Sequence, residues 1–187
     1  MDVRNDFPML KQDITYLDNC ATTFKPYSVI KEVSNYYENY CANSSRGDYD
    51  IGLKVDDKIK KVREKVKDFI NAKKSSEIIF TSGTTESLNI AIKGFFGDYL
   101  TKDDEVLTTK AEHASLILPW FNLSDKIGFN INYIDLGPDL TVLLENVKKA
   151  ITKNTKVISL AHVTNVFGDV RPIKEIIKLA HENNILV

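Results

Sequence analysis

The chain has 187 residues, of which 43% are hydrophobic and 27% are charged, a composition typical of a globular domain with a substantial core. Its 25 basic residues nearly balance its 26 acidic ones, so the net charge of -1 gives no basic field that would attract a nucleic acid. Two cysteines cannot form a disulfide framework, and no apolar run approaches the roughly 20 residues that would span a bilayer. We therefore expect a protein of a reducing, cytoplasmic compartment without a nucleic-acid or membrane partner.

Apolar residues recur at helical spacing in two segments near the start of the chain. The first segment contains Val29, Ile30, Val33, Tyr36, Tyr37 and Tyr40. The second contains Val55, Ile59, Val62, Val66, Phe69 and Ile70. We predict two amphipathic helices, with a loop over residues 43–52 between them.

Short apolar runs then alternate with helical patterns along the rest of the chain. The runs cover residues 78–80, 105–108, 131–134 and 157–161, and the helical patterns cover residues 87–96, 116–123, 142–151 and 173–180. Such alternation predicts an α/β fold with a mainly parallel sheet and flanking helices. Residues 185–187 resemble the opening of another buried strand, so we expect a partial sequence whose sheet continues.

Residues 81–86, with the sequence Thr-Ser-Gly-Thr-Thr-Glu, connect the first predicted strand to the helix that follows it. Hydroxyls and free backbone N–H groups at a helix N-terminus form an anion site, where Thr84 and Thr85 could each donate to a phosphate oxygen. The same residues also fit an ordinary capping motif with Glu86 in the first turn. The segment alone leaves both interpretations open, although it is neither a Walker A motif nor a dinucleotide fingerprint.

Two further polar segments follow predicted strands at the sheet edge where open α/β folds bind ligands. Glu112-His113 follows strand 105–108, and an imidazole there could stack on a flat heteroaromatic ring or transfer protons. His162 and Asn165 follow strand 157–161, and Asn165 offers both a donor and an acceptor toward a ring hydroxyl. A lone histidine is more often structural or merely exposed, and this alternative stays open for both.

The remaining histidine and the two cysteines carry no clear chemistry. The scattered histidines and cysteines contain no pair at zinc spacing, so we expect no metal site. His181 is predicted to face solvent or to compensate a helix dipole. Cys20 and Cys41 are predicted to be small buried residues, because neither has a neighbour that would stabilise a thiolate.

Taken in order, these segments resemble the class V aminotransferase group of fold-type I pyridoxal-phosphate enzymes, and most closely the SufS-type cysteine desulfurases. The resemblance covers nearly the whole chain. Its matching segments are residues 16–23 with Lys25-Pro26, residues 45–47, residues 78–89, residues 112–115 with Pro119-Trp120, and residues 162–168.

The resemblance implies a bound pyridoxal 5'-phosphate and assigns its contacts. Thr84 and Thr85 would hold the phosphate, His113 would stack on the pyridine ring as a catalytic residue, and Asn165 would meet the ring hydroxyl. Residues 1–187 would then be a single partial domain, with an N-terminal arm over about residues 1–25 and the first part of the cofactor-binding large domain after it.

The resemblance also implies contacts with an amino-acid substrate, for which Asn19, Cys20, Ala21 and Arg46 are the candidates. In the family, the segment similar to residues 45–47 lies near the active site at a dimer interface. Family members commonly have alanine where Cys20 stands and histidine where Ser45 stands, so a different substrate is an open alternative.

Further family residues would follow Val187, namely an aspartate for the pyridine nitrogen, the Schiff-base lysine, the persulfide cysteine and a substrate-binding arginine. We predict a homodimeric desulfurase that converts L-cysteine to L-alanine and passes sulfur to an acceptor protein for iron-sulfur or thiolation pathways. These 187 residues alone are predicted to bind the cofactor weakly and to catalyse nothing. The alternatives are another class V aminotransferase, lyase or epimerase, or a non-catalytic remnant of one.

Overall fold

A computed structural model describes residues 3–46 and 48–187 of the chain. Two compact units can be distinguished, Met1–Phe80 and Thr81–Val187. Within the described residues, no helix is both long enough and apolar enough to cross a membrane. The interpretation of residues 1–187 as a single partial domain with an N-terminal arm stays a prediction.

The first unit contains the two helices that the apolar spacing predicts. Helix α1 spans Tyr27–Asn39 and helix α2 spans Asp50–Phe69. Helix α2 begins inside the loop predicted over residues 43–52, with Asp50 in its first turn, where a carboxylate interacts favourably with the helix dipole. The loop is therefore shorter than predicted, and Gly47 lies outside the described residues. Short 3₁₀ turns cover Arg4–Asp6, Pro8–Lys11 and Ser75–Glu77.

The apolar faces of α1 and α2 are only partly covered within the first unit. Tyr40, Val55 and Ile78 are buried. Most of the other apolar side chains on the two helices are exposed, among them Val29, Ile30, Val33, Tyr37, Ile59, Val62 and Phe69. The helical periodicity thus predicts the helices correctly without ensuring that their apolar faces are buried.

The strand predicted over residues 78–80 is wrong. Ile78 has extended backbone angles, but residues 78–80 pair with no strand in the described part of the chain. The backbone N–H of Ile78 donates to Ser75 O at 3.1 Å, and its carbonyl accepts from Arg63 Nε at 3.2 Å. Local partners therefore take the groups that a sheet ladder would use.

The second unit is a parallel α/β sheet. Within the described residues, strands β1 (Glu105–Thr108), β2 (Asn130–Tyr133) and β3 (Thr155–Ile158) lie in the order β2-β1-β3, and both pairs are parallel. Helix α5 (Ala114–Ile127) connects β1 to β2, and α6 (Leu144–Ala150) connects β2 to β3. The predicted α/β class, with a parallel sheet and flanking helices, is confirmed.

The other helices of this unit lie at its two ends in sequence. Helix α3 (Thr84–Ile90) continues through a π-helical segment, Ala91–Phe95, into α4 (Phe96–Tyr99), and α7 (Ile173–Glu182) follows β3. His181 lies exposed in the last turn of α7, which confirms the prediction of a solvent-facing residue. All four helices predicted after residue 80 are present, with shifted bounds.

Two apolar clusters bury the two faces of the sheet. Val106 belongs to a cluster with Ile92, Leu100, Trp120, Leu123, Phe129 and Val157. Its neighbour Leu107 belongs to a second cluster with Ile134, Val142, Val147, Ile158, Ile176, Ala180 and Ile185. Because successive strand residues point to opposite faces, a strand covered on both sides has a continuous apolar run.

The last residues of the chain begin to extend the sheet beside β3. Leu186 forms a parallel bridge with Val157, its N–H donates to Lys156 O at 3.0 Å, and its carbonyl accepts from Ile158 N at 2.8 Å. Ile185 is buried in the apolar core. The apolar run at residues 185–187 is therefore buried at Ile185 and bridged to β3 through Leu186, in the parallel sense that the sequence pattern predicts.

Candidate functional site

The parallel sheet brings two polar loops to one edge. Strand β1 ends at Thr108 and leads to Glu112 and His113, while β3 ends at Ile158 and leads to the loop of His162 and Asn165. Because β1 and β3 are parallel neighbours, both loops leave the same carboxyl edge of the sheet. This edge carries the cofactor candidates predicted after β1 and β3.

The start of α3 presents a set of donors without acceptors. The first backbone N–H of this helix that finds a helical acceptor is that of Ser87, which donates to Gly83 O at 3.1 Å. Within the described residues, the N–H groups of Thr84 and Thr85 donate to no acceptor, and neither threonine hydroxyl makes a hydrogen bond. Both side chains are exposed. These groups fit the oxygens of an anion, and the partial positive charge of the helix end adds to their attraction.

Glu86 lies in the first turn of α3, as the capping alternative predicts, but no side chain caps the helix at Gly83, and the Glu86 carboxylate binds outside the helix. Its Oε2 accepts from both the N–H and the hydroxyl of Ser82, each at 2.7 Å. These hydrogen bonds from Ser82, the side-chain one first, lower the pKa of Glu86 below its usual value, because they stabilise the charged form. The carboxylate is thereby held by Ser82, which precedes the cap residue Gly83, and the donors of Thr84 and Thr85 stay free within the described residues.

His113 caps helix α5 and has a defined tautomer. Its Nδ1 accepts from the backbone N–H of Ser115 at 3.1 Å and lies 2.6 Å from the Ser115 hydroxyl. Since Nδ1 accepts the backbone hydrogen bond, the proton of the neutral ring is on Nε2. The imidazole is exposed, so its face is accessible to a planar ligand.

Thr85 and His113 line one cavity of about 340 Å³. Its other lining residues are Asn89, Ala114, Ser115, Leu118, Pro119 and Asn122. Small-molecule sites typically occupy about 300–1,000 Å³ and combine apolar walls with a few polar groups. The structure thus brings the predicted phosphate contact and the predicted ring contact together.

Asn165 lies near the tip of a narrow loop and does not line that cavity. Val163 and Val170 form an antiparallel bridge, and Thr164 Oγ1 accepts from Asp169 N at 3.1 Å. Gly168 closes the turn at φ 69°, in the left-handed region where glycine has no steric penalty. The Asn165 side chain is exposed and makes no hydrogen bond within the described residues, so both ends of its amide are available.

A buried ion pair joins the two loops, and the sequence reading missed it. Arg171 NH1 donates to Glu112 Oε1, and the two side chains are 0% and 1% exposed. Thr109 completes the cluster, because its hydroxyl donates to Glu112 Oε1 at 2.6 Å and accepts from Arg171 NH2 at 3.2 Å. A signal was available, since a lone arginine between a buried strand and an apolar helix needs a buried carboxylate.

The substrate candidates lie in the first unit, where Asn19, Cys20 and Ala21 belong to one exposed turn. The Tyr16 hydroxyl closes this turn by donating to Asp18 O at 3.2 Å and to Thr22 O at 2.6 Å. Asn19 also lines a cavity of about 420 Å³ formed by residues of this unit.

Arg46 is also exposed, and it makes no hydrogen bond or ion pair with the described residues of the chain. Its neighbour Ser45 is fixed by a hydrogen bond from Ser45 N to Asp56 Oδ1 at 2.8 Å. Of the predicted segment 45–47, Gly47 lies outside the described residues.

The prediction that Cys20 and Cys41 are buried is wrong. Both thiols are exposed. Cys20 lies in the turn closed by Tyr16, and Cys41 follows the end of α1, so neither lies on a helix or strand face that packs against the core.

Another cavity in the described part of the chain, of about 990 Å³, belongs to the first unit and is lined by none of the predicted cofactor residues. Tyr40 and Lys58 line it, together with Glu32, Ser45, Asp56 and Arg63. The smaller cavity differs from it in combining an exposed imidazole, that of His113, with Thr85 at a helix start. Within the described residues, no group of three or more histidine, cysteine or acidic side chains could hold a metal ion.

Comparison with known proteins adds an independent line of evidence. Residues 15–187 match the family described as Aminotransferase class-V. A probable cysteine desulfurase of Halalkalibacterium halodurans is 36% identical over 191 aligned positions, which cover 100% of this chain and 47% of that protein. The apo structure of a cysteine desulfurase from Thermococcus onnurineus NA1 superposes with a TM-score of 0.91 at 34% identity, covering 98% of this chain and 45% of that one. A structure described as SspA in complex with cysteine gives a TM-score of 0.81 at 31% identity, covering 92% and 49%.

The chain therefore belongs to the class V aminotransferase family. Its resemblance to cysteine desulfurases is confirmed by the relatives, and its fold is that of the structural neighbours. The chain spans about half the length of the curated relatives that it matches.

Proposed function

We propose that this chain supplies the phosphate and ring contacts of pyridoxal 5'-phosphate in a cysteine desulfurase. The proposed reaction converts L-cysteine to L-alanine and transfers the sulfur to a cysteine thiolate, which becomes a persulfide. One observation supports the proposal above all: Thr85, at the start of α3, and His113, at the cap of α5, line one cavity.

The phosphate end of the cofactor would bind at the start of α3. The N–H groups and hydroxyls of Thr84 and Thr85 are free within the described residues and would donate to phosphate oxygens. Charge-assisted hydrogen bonds of this kind are shorter and about twice as strong as neutral ones. The Glu86 carboxylate is already held by Ser82, so it does not compete for the same donors.

The ring end would bind against His113. Ser115 fixes the imidazole and its tautomer, so the ring can stack on a heteroaromatic face without first losing side-chain freedom. We propose that Asn165 meets the ring hydroxyl with its free amide. When bound, the cofactor supplies an electron sink for reactions at the α-carbon and β-carbon of an amino acid.

The substrate and partners are proposed on the resemblance to the family. We propose that Asn19, Cys20, Ala21 and Arg46 contact the amino acid, and the exposure of all four is compatible with this role. L-cysteine is favoured as substrate because the relatives are named cysteine desulfurases and one structural neighbour was solved in complex with cysteine. A homodimer, a sulfur-acceptor protein, a role in iron-sulfur cluster assembly and a cytoplasmic location complete the proposal.

The activity is tested on the protein as its gene encodes it, supplied with pyridoxal phosphate, L-cysteine and a thiol reductant. We expect equal amounts of alanine and sulfide, and no alanine when the cofactor is withheld. L-serine, which differs from L-cysteine by one atom, is the matched control substrate. A protein that forms no alanine from L-cysteine but converts another amino acid is a different class V enzyme, and one that converts none is a remnant.

A further inference from the structure

We propose that the buried Glu112–Arg171 ion pair is a positioning device that fixes His113 and Asn165 relative to each other. The inference rests on the proposed function, because the two positioned residues are the proposed ring contacts. Neither charged side chain is exposed, so the pair acts through the loops to which it belongs.

On one side, the pair holds the loop that carries His113. Glu112 is the neighbour of His113 in the chain, and its two carboxylate oxygens are used in different directions. Oε2 accepts from the backbone N–H of Ala161 at 2.9 Å, while Oε1 accepts from Arg171 and from the Thr109 hydroxyl. The residue before the imidazole is therefore bonded to its own loop and to the chain that follows β3.

On the other side, the pair holds the base of the loop that carries Asn165. The backbone N–H of Arg171 donates to His162 O at 3.0 Å, which closes the loop over residues 162–171. The Arg171 guanidinium also contacts the residue that precedes this loop, because NH1 donates to Ala161 O at 3.2 Å. Asn165 lies within this loop, so a displacement of Arg171 would displace the Asn165 side chain as well.

The guanidinium is required for this arrangement because it makes several bonds at once. NH1 contacts Glu112 and Ala161, NH2 contacts Thr109, and Nε lies 3.6 Å from Asp169 Oδ2. A lysine ammonium could replace the charge but not the planar fork that spans these partners. A lysine at position 171 therefore separates two roles of Arg171, namely positioning of the loops by the planar guanidinium and neutralisation of the Glu112 charge.

The test measures binding of two ligands to the 187-residue chain. The first is 4-deoxypyridoxine 5'-phosphate, which has the ring and the phosphate but no aldehyde, so surface lysines cannot trap it. The second is inorganic phosphate, which reports on the start of α3 alone. The native chain should bind the ring ligand more tightly than phosphate, and the ratio of the two dissociation constants is the ring preference.

Glu112→Gln and Arg171→Met should each reduce the ring preference by about 10-fold, by analogy with the lower end of the loss seen when a residue that orients a metal ligand is removed. Phosphate affinity should not change, because Thr84 and Thr85 are not part of the cluster. Arg171→Lys should retain little of the ring preference, because lysine keeps the positive charge but lacks the planar guanidinium that contacts several partners at once.

Glu105→Gln is the matched control variant. Glu105 is also a buried carboxylate, but it lies at the amino end of β1, away from the loop of Glu112, and accepts from Thr155 Oγ1 at 2.7 Å. This variant should keep the native ring preference. Should a single variant at Glu112 or Arg171 fail to fold, the Glu112→Gln/Arg171→Met double variant takes its place, because it removes both charges of this ion pair together.

The outcomes separate the inference from the proposed function. A ring preference that survives in the Glu112 and Arg171 variants overturns the inference alone, as does an equal loss of phosphate binding, which would indicate a general structural role. A native chain that binds neither ligand overturns the proposed function and the inference together.

Discussion

Glu112 and Arg171 are 59 positions apart in the chain, yet their side chains form an ion pair with almost no exposure to solvent. Removing one partner of a buried pair leaves an uncompensated charge in a medium of low polarity, which is expected to cost about 3–5 kcal/mol. We therefore expect Arg171→Met to lower the free energy of unfolding of the second unit by about that amount.

Trp120 provides the measurement, because it is the only tryptophan in the sequence and lies buried in the second unit, with Nε1 bonded to Ser159 Oγ at 2.8 Å. Urea unfolding followed by its fluorescence reports on this unit. The Glu112→Gln/Arg171→Met double variant should be less destabilised than the sum of the two single variants, since it removes both charges. Strict additivity would show that the two side chains are not energetically coupled.

Thr85→Val should weaken binding of 4-deoxypyridoxine 5'-phosphate to the chain. A hydrogen bond to a charged group contributes about 1.5–3 kcal/mol, so the dissociation constant should rise by about 10-fold or more. The measurement is a calorimetric titration. Because valine has nearly the shape of threonine, the cavity that Thr85 shares with His113 should keep its form.

The matched ligand for that experiment is 4-deoxypyridoxine without its phosphate. Its affinity should be the same for the native chain and for Thr85→Val, because the lost hydroxyl is proposed to contact only the phosphate. A similar loss for both ligands would mean that Thr85 does not hold the phosphate.

The sequence predicts the parts of this structure that depend on local patterns. Continuous apolar runs such as Val106-Leu107 identify a strand covered on both faces, and the helical spacing identifies the helices around it. Thr84, Thr85 and His113 can be chosen as candidate ligand contacts from the sequence. They follow predicted strands or begin predicted helices, and the order of these elements indicates the carboxyl edge of a parallel sheet.

The errors in the prediction have a common physical origin, because each concerns a residue whose environment is set by individual hydrogen bonds that apolar and helical patterns do not encode. Residues 78–80 have a strand-like composition, but Ser75 and Arg63 take the backbone groups of Ile78. Cys20 is exposed because the Tyr16 hydroxyl closes a turn around it. The spacing of apolar residues does not reveal which side chains or carbonyl groups will supply such contacts, whether they are near in sequence, as Ser75 is to Ile78, or farther away, as Arg63 is.

His113 has a capping role and a proposed ligand role, and two substitutions separate them. His113→Asn should keep α5 capped, since asparagine is among the best N-cap residues, but should weaken binding of 4-deoxypyridoxine 5'-phosphate. His113→Ala should lose the ligand contact and, in addition, about 1 kcal/mol of stability, the typical contribution of an N-cap side chain. Urea unfolding and ligand titration measure the two effects independently. Equal ligand affinity in the native chain and in His113→Asn would exclude the ring contact.

The last prediction concerns a cluster in the first unit formed by Glu32, Tyr40 and Lys58. Glu32 Oε1 lies 2.5 Å from Lys58 Nζ and also accepts from the Tyr40 hydroxyl, and these hydrogen bonds, with Lys58 first, lower the pKa of Glu32 from 4.5 to about 2. A group whose pKa is lower in the folded state stabilises the fold above its unfolded value and loses that contribution as the pH falls. The contribution of Glu32 is therefore complete above pH 4.5 and is lost as the pH falls toward 2.

Glu32→Gln should consequently lower the urea midpoint of the first unit at pH 6, and the difference from the native chain should shrink as the pH falls below 4.5. Helix content measured by circular dichroism is the appropriate signal, since Trp120 lies in the other unit. Lys58→Met is the control, because it removes the largest cause of the lowered pKa of Glu32 and should make the Glu32→Gln difference less dependent on pH, with the hydrogen bond from Tyr40 remaining. Both side chains of the ion pair are more than one-third exposed, so the effect should be small and should weaken in high salt. A difference that grows as the pH falls from 4.5 would show that Glu32 stabilises the unit in its protonated form instead.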